Sequence, residues 1–218
     1  PLSARSLAEA GDKEVIDSLQ LLPSAYCKWI EIQQETLKGL APDLSKQAQR
    51  NLDQCYKVLD RISEGIKCFA KDRNMLDAFR LANLAMAIQH DWDPEKRSHG
   101  ELRWRPFQLG FILLACASTL SRDSPDRGVM DLLWFPTGGG KTEAYLGVTV
   151  YASFTQTSVA HIQLQQGHVE EALATYRDAL QLNRSASNVE GIALGCRSLG
   201  EVFIGLERPA ESIPYLRE

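Results

Sequence analysis

The sequence predicts a mainly α protein that carries a single β-segment. Three observations lead there. Apolar residues recur at steps of three and four through residues 13–90, one short strand-like run ends in a glycine loop, and the tail repeats a helix-pair pattern. The chain accordingly divides into a helical bundle (1–100), a strand–loop–helix unit (101–150) and helical hairpins (151–218).

The bundle reads as helix after helix. In KEVIDSLQLLPSAYCKWIEIQQETLKGL, Pro23 is expected to interrupt the first helix or open a second. Asp43 is the expected N-cap of the next helix. That helix places Leu52, Cys55, Leu59, Ile62, Ile66 and Phe69 on one face, with charged residues opposite. Met75, Phe79, Ala82 and Met86 continue the pattern, which reads as bundle core and not as a cofactor box. RPFQLGFILLACAS follows as a helix with Pro106 in its first turn, and SRDSPDRG as a loop. VMDLLWF (129–135) is rich in strand formers and ends at Pro136, so it is the predicted strand.

Composition narrows the class. Of 218 residues, 44% are hydrophobic and 24% charged, as in ordinary soluble globular proteins. A formal net charge of −4 gives no global attraction to nucleic acid or anionic membrane. DPEKRSHGELRWR (93–105) gathers cations around Trp92 and Trp104, and reads as a solvated connector ahead of a nucleic-acid contact. Cys27, Cys55, Cys68, Cys116 and Cys196 form no CxxC pair, which suits reduced thiols in a cytosolic protein. The histidines show no metal-ligand spacing. No apolar run reaches the ~18 residues of a membrane helix, and the opening PLSARSLAEAGDKE is not a secretory signal. The expected location is cytoplasmic, without membrane association.

PTGGGKT carries the chemistry. Thr137 and the glycines Gly138, Gly139 and Gly140 stand between the predicted strand and a helix expected to begin near Lys141. Glycines let backbone N–H groups curl around an anion, and the helix N-terminus adds its positive dipole end. Lys141 would neutralise the β- and γ-phosphates of ATP, and the Thr142 hydroxyl would ligate Mg²⁺. Glu143 needs no more than an acidic residue's preference for a first helical turn. No residue is assigned a catalytic role.

Phe135 stands where the general phosphate-loop pattern has glycine. Pro-Thr-Gly-x-Gly-Lys-Thr instead resembles motif I of superfamily-2 helicases, and the upstream RPFQ resembles their adenine-recognising stretch. The resemblance implies that Gln108 reads adenine, that ATP and Mg²⁺ are the cofactors, and that nucleic acid is a partner. RWRPFQLGFILL with DLLWFPTGGGKTEAYLG is similar, more specifically, to helicases of DISARM-type bacterial anti-phage defence, a likeness covering roughly residues 20–147. Such motors need an Asp-Glu box on a later strand and a second motor domain. Residues 150–218 offer neither, so the reading expects an incomplete motor without independent unwinding.

The tail resembles tetratricopeptide repeats. Ala160, Gly167, Ala172, Tyr176 and Ala179 fall where that pattern wants small or aromatic residues, as do Leu199, Gly200, Phe203 and Ile213, while Ser212 replaces an alanine. Aligning Gly167 with Glu207 gives a period of about 40 residues, the mark of a helical repeat. The resemblance implies a protein or peptide partner through residues 154–218. Two alternatives stand beside the motor reading: a non-enzymatic repeat adaptor with a relic loop, and a truncated or recombined gene product.

Overall fold

The computed structural model describes residues 2–120, 124–131 and 139–217. Ten α-helices occur among them: α1 (Ala4–Glu9), α2 (Asp12–Leu37), α3 (Pro42–Lys71), α4 (Arg73–Asp91), α5 (Pro94–Ser98), α6 (Pro106–Leu120), α7 (Lys141–Gln165), α8 (Val169–Ser185), α9 (Val189–Gly205) and α10 (Pro209–Leu216). A 3₁₀ turn spans Pro125–Gly128. The mainly α fold class is therefore the observed one.

Among the described residues there is no strand, only an isolated antiparallel bridge between Ser3 and Arg103. Val129, Met130 and Asp131, which open the predicted strand, are in no ladder. The remainder of that prediction, 132–135, lies outside the described residues. So do Pro136, Thr137 and Gly138 of the loop.

Two expectations about helix boundaries are corrected. Pro23 does not break its helix: α2 runs unbroken through it. The ring is buried, and that burial offsets the lost backbone bond. Asp43 is not an N-cap. Ala41 is, because Pro42 occupies the first helical position, where its fixed φ suits the helix and its missing donor costs nothing.

α2 and α3 form an antiparallel hairpin, and α3 packs against α6. The two backbones meet at Gly65, where a Cβ would lie 2.1 Å from the Leu113 carbonyl oxygen. α4 lies between α1 and α7, and α6 lies against α7. The core they share contains Phe69, its ring tilted by 33° against Phe79 at 4.7 Å between centroids and edge-on to Tyr151 at 5.9 Å. Trp104 is buried with them and donates its indole N–H to Asn83 Oδ1 at 2.7 Å. The 93–105 connector is thus only partly solvated: Trp104 is inside, while Asp93 to Glu101, like the preceding Trp92, are exposed.

α7 is one helix of 25 residues, about 37 Å long. Val150, Tyr151 and Phe154 belong to the first core, and Ala160 to a second one shared with Leu173, Tyr176, Leu180, Cys196, Leu199 and Phe203. From α7 onward each helix packs on the next. The three turns between them are alike. Gly167, Ser187 and Glu207 are left-handed at φ 84, 52 and 58. In each turn the following residue's N–H (His168, Asn188, Arg208) closes a bond to a carbonyl five residues back (Gln163, Asn183, Phe203). Ile213, expected to fill the groove between hairpins, is 45% exposed, and Ser212 faces inward instead. No helix among the described residues is long and apolar enough to cross a membrane.

Candidate nucleotide-binding site

α6 and α7 bring the two predicted motifs together. Pro106 is the first residue of α6, so Arg105 takes the N-cap position and Gln108 the third helical one. From there the Gln108 side chain reaches back, its Oε1 accepting from the Arg105 backbone N–H at 2.8 Å, half of a capping box. Its Nε2 donates to the Gly140 carbonyl at 2.7 Å. Gln108 is 4% exposed, so this amide is a fixed strut between the two helix starts. Arg105, which the sequence reading passed over, donates from Nη1 to the Gly139 carbonyl at 2.9 Å. The signal was present: a residue just before Pro106 leaves the helix axis and is free to point at whatever lies beyond the helix start.

These two bonds orient the end of the loop. In a trans peptide the carbonyl and the following N–H point to opposite sides. With the Gly139 and Gly140 carbonyls held by Arg105 and Gln108, the N–H groups of Gly140 and Lys141 turn the other way. Gly140 is left-handed at φ 85, ψ 30, and Lys141 opens α7. A left-handed residue followed by a right-handed one makes a concave pair of N–H groups, the geometry of an anion nest. No side chain caps α7, as is also true of α2, α3, α8 and α10. Its first-turn donors, with the dipole behind them, suit an anion.

A cavity of about 880 Å³ borders Gln108 and the end of the loop, within the usual size range of ligand pockets. Gln108, Gly140 and Thr142 line one wall, and Trp92, Lys96 and Arg103 another. Lys96 Nζ sits 3.7 Å from Glu143 Oε1, tying the short helix α5 to the start of α7.

Each residue's fit to a nucleotide can be tested on this geometry. A carboxamide has two donors and two acceptor sites. Gln108 uses one of each, in its bonds to Gly140 and Arg105, which leaves one N–H and one lone pair. Gly140 and Lys141 carry the left-handed, right-handed order of an anion nest, and Gly139 is held beside them by its carbonyl. Thr142 is exposed in the first turn of α7 and could supply one oxygen to Mg²⁺, the others coming from phosphate and water. No cluster of three or more His, Cys, Asp or Glu suited to a metal occurs among the described residues.

Comparison with known proteins points in one direction. No family model matches the chain. It is 38% identical over 166 residues to the DISARM protein DrmA of Bacillus paralicheniformis, an alignment covering 68% of this chain and 14% of that protein. This similarity supports an association with DISARM-type phage defence, and the chain spans 14% of the length of the relative it matches.

Proposed function

We propose that the chain is an ATP-binding segment of a phage-defence protein of the helicase type, without independent unwinding activity. The observation that carries the reading is the Gln108–Gly140 bond, which joins a glutamine and a glycine loop 32 residues apart into one ligand-sized wall. In this reading adenine enters the cavity and meets the unused half of the Gln108 amide. The triphosphate runs toward the N–H groups of Gly140 and Lys141, and the reading assigns Thr137, Gly138 and Gly139 to nucleotide binding by their place in the motif. Lys141 neutralises phosphate charge, and Thr142 gives its hydroxyl to Mg²⁺. Mg²⁺ supplies charge compensation and holds the phosphates in one geometry.

Calorimetric titration of the intact chain with MgATP tests this. Binding that falls at least tenfold in Lys141→Ala supports it, and no heat in the wild-type protein at millimolar ATP rejects it.

A second reading rests on the tail. Three left-handed turns of one design, 20 residues apart in sequence, support a tetratricopeptide-like stack that presents a groove to a protein or peptide. The groove between α7, α8 and α9 is lined by His161, Leu164, Tyr176 and Val202. The adaptor role and the nucleotide role are compatible in one chain.

A further inference from the structure

The carboxylate of Glu143 stands between the two ends of the proposed nucleotide. A Cβ on Gly140 would meet two side-chain groups, Gln108 Nε2 at 2.6 Å and Glu143 Oε2 at 3.4 Å. The amide proposed for adenine and this carboxylate are therefore neighbours, both lying against the last glycine of the loop. Glu143 is the third residue of α7 and lines the cavity with Gln108 and Thr142. From the other wall, Lys96 places its Nζ 3.7 Å from Oε1 of the same carboxylate. Lys96 is itself fixed in α5, whose first N–H groups, those of Glu95 and Lys96, donate to Asp93 Oδ1 at 3.0 and 3.4 Å. One carboxylate oxygen is thus drawn toward α5, and the other faces Gly140.

An acidic residue at the third helical position commonly serves its own helix, by folding back onto the N-cap N–H. Glu143 does not, since no side chain caps α7. An ionised carboxylate only accepts hydrogen bonds. Beside a phosphate it would repel the ligand, whereas beside hydroxyl groups it accepts strong, charge-assisted bonds. In a nucleotide those hydroxyls belong to the sugar, which lies between base and phosphates. With the base at Gln108 and the phosphates at the Gly140 and Lys141 N–H groups, the sugar passes the Glu143 carboxylate. It is the part of the ligand that gains from an anion there.

We infer that Glu143 is the sugar-reading residue of the site: its carboxylate accepts hydrogen bonds from the ribose hydroxyls, and so selects a ribonucleotide over its deoxy counterparts. The inference rests on the nucleotide reading above.

The test compares ATP with 2′-deoxyATP and 3′-deoxyATP, each titrated calorimetrically as its magnesium complex into the full chain. The wild type is expected to bind ATP roughly tenfold more tightly than at least one of the deoxy analogues, the loss of a hydrogen bond to a charged group. In Glu143→Ala that ratio should fall to about one. Glu95→Ala is the control: it removes an exposed carboxylate from α5, outside the cavity lining, and should keep the wild-type ratio. Because the readout is a ratio of affinities within one variant, a change in folding or in overall affinity leaves it unmoved. Should Glu143→Ala not fold, Glu143→Gln takes its place, with a severalfold fall in the ratio expected, since the amide keeps one uncharged acceptor. Equal wild-type affinity for ATP and both analogues, a preference that survives the change at Glu143, or one lost equally in Glu95→Ala overturns the inference alone. Absence of ATP binding in the wild type overturns the nucleotide reading itself.

Discussion

Gly140→Ala perturbs the junction on which the site depends, and its cost can be worked from the coordinates. Gly140 is left-handed at φ 85, ψ 30, a conformation that costs an L-residue roughly 1–2 kcal/mol. An added Cβ would also stand 2.6 Å from Gln108 Nε2. The end of a glutamine can ordinarily swing aside, but this one is fixed by the Arg105 N–H at 2.8 Å and the Gly140 carbonyl at 2.7 Å. Moving it forfeits at least one of those bonds, about 1 kcal/mol. Together the two effects predict a loss of about 2–3 kcal/mol. Urea unfolding followed by circular dichroism measures it. Combining Gly140→Ala with Gln108→Ala separates the parts: without the glutamine only the backbone strain remains. A loss below about 0.5 kcal/mol for Gly140→Ala in the wild-type background would refute the reasoning, since a left-handed residue against a fixed amide cannot accept a methyl group freely.

Two further substitutions probe the frame around the site. Gly65→Ala forces a Cβ, now 2.1 Å from the Leu113 oxygen, out to an ordinary C···O separation of about 3.3 Å. Parting α3 and α6 by about 1 Å outweighs the helix propensity gained, so a net loss of about 2–3 kcal/mol and a lower unfolding midpoint are expected. Ser187→Gly should act the other way: the residue is exposed and left-handed at φ 52, so glycine relieves strain and raises stability by about 0.5–1 kcal/mol in the same urea assay.

Legibility in the sequence followed how one-sided each element is. α3 was plain because its apolar face repeats over a long stretch while the opposite face is charged, and Leu52, Ile62, Ile66 and Phe69 are indeed inside. The Pro23 expectation failed because a proline's local penalty can be outweighed by burial, which only the tertiary packing supplies. α7 could not be foreseen as one helix. Its middle, Val150 to Thr155, is buried on every side, so no polar face marks the period. The turn at Gly167 was readable from its glycine, whereas Ser187 takes the same conformation without that signal.

At the site, the type and spacing of Gln108, Gly140 and Lys141 were legible, and so was the start of α7 at Lys141. The bonds that fix the end of the loop were not. Arg105 to Gly139 and Gln108 to Gly140 join residues 34 and 32 positions apart, a distance no local pattern reports.

The central claim is that Gln108 and the glycine loop form one adenine-reading nucleotide site. It is tested most directly by comparing MgATP with MgGTP on the wild type and on Gln108→Ala. A carboxamide matches the donor and acceptor on adenine's edge, while guanine presents two acceptors there. The account predicts a preference for ATP of at least tenfold that collapses toward unity in Gln108→Ala, with affinity for both nucleotides lowered because the strut to the Gly140 carbonyl is also lost. Equal affinity for the two nucleotides in the wild type, or an ATP preference that survives loss of Gln108, would contradict it.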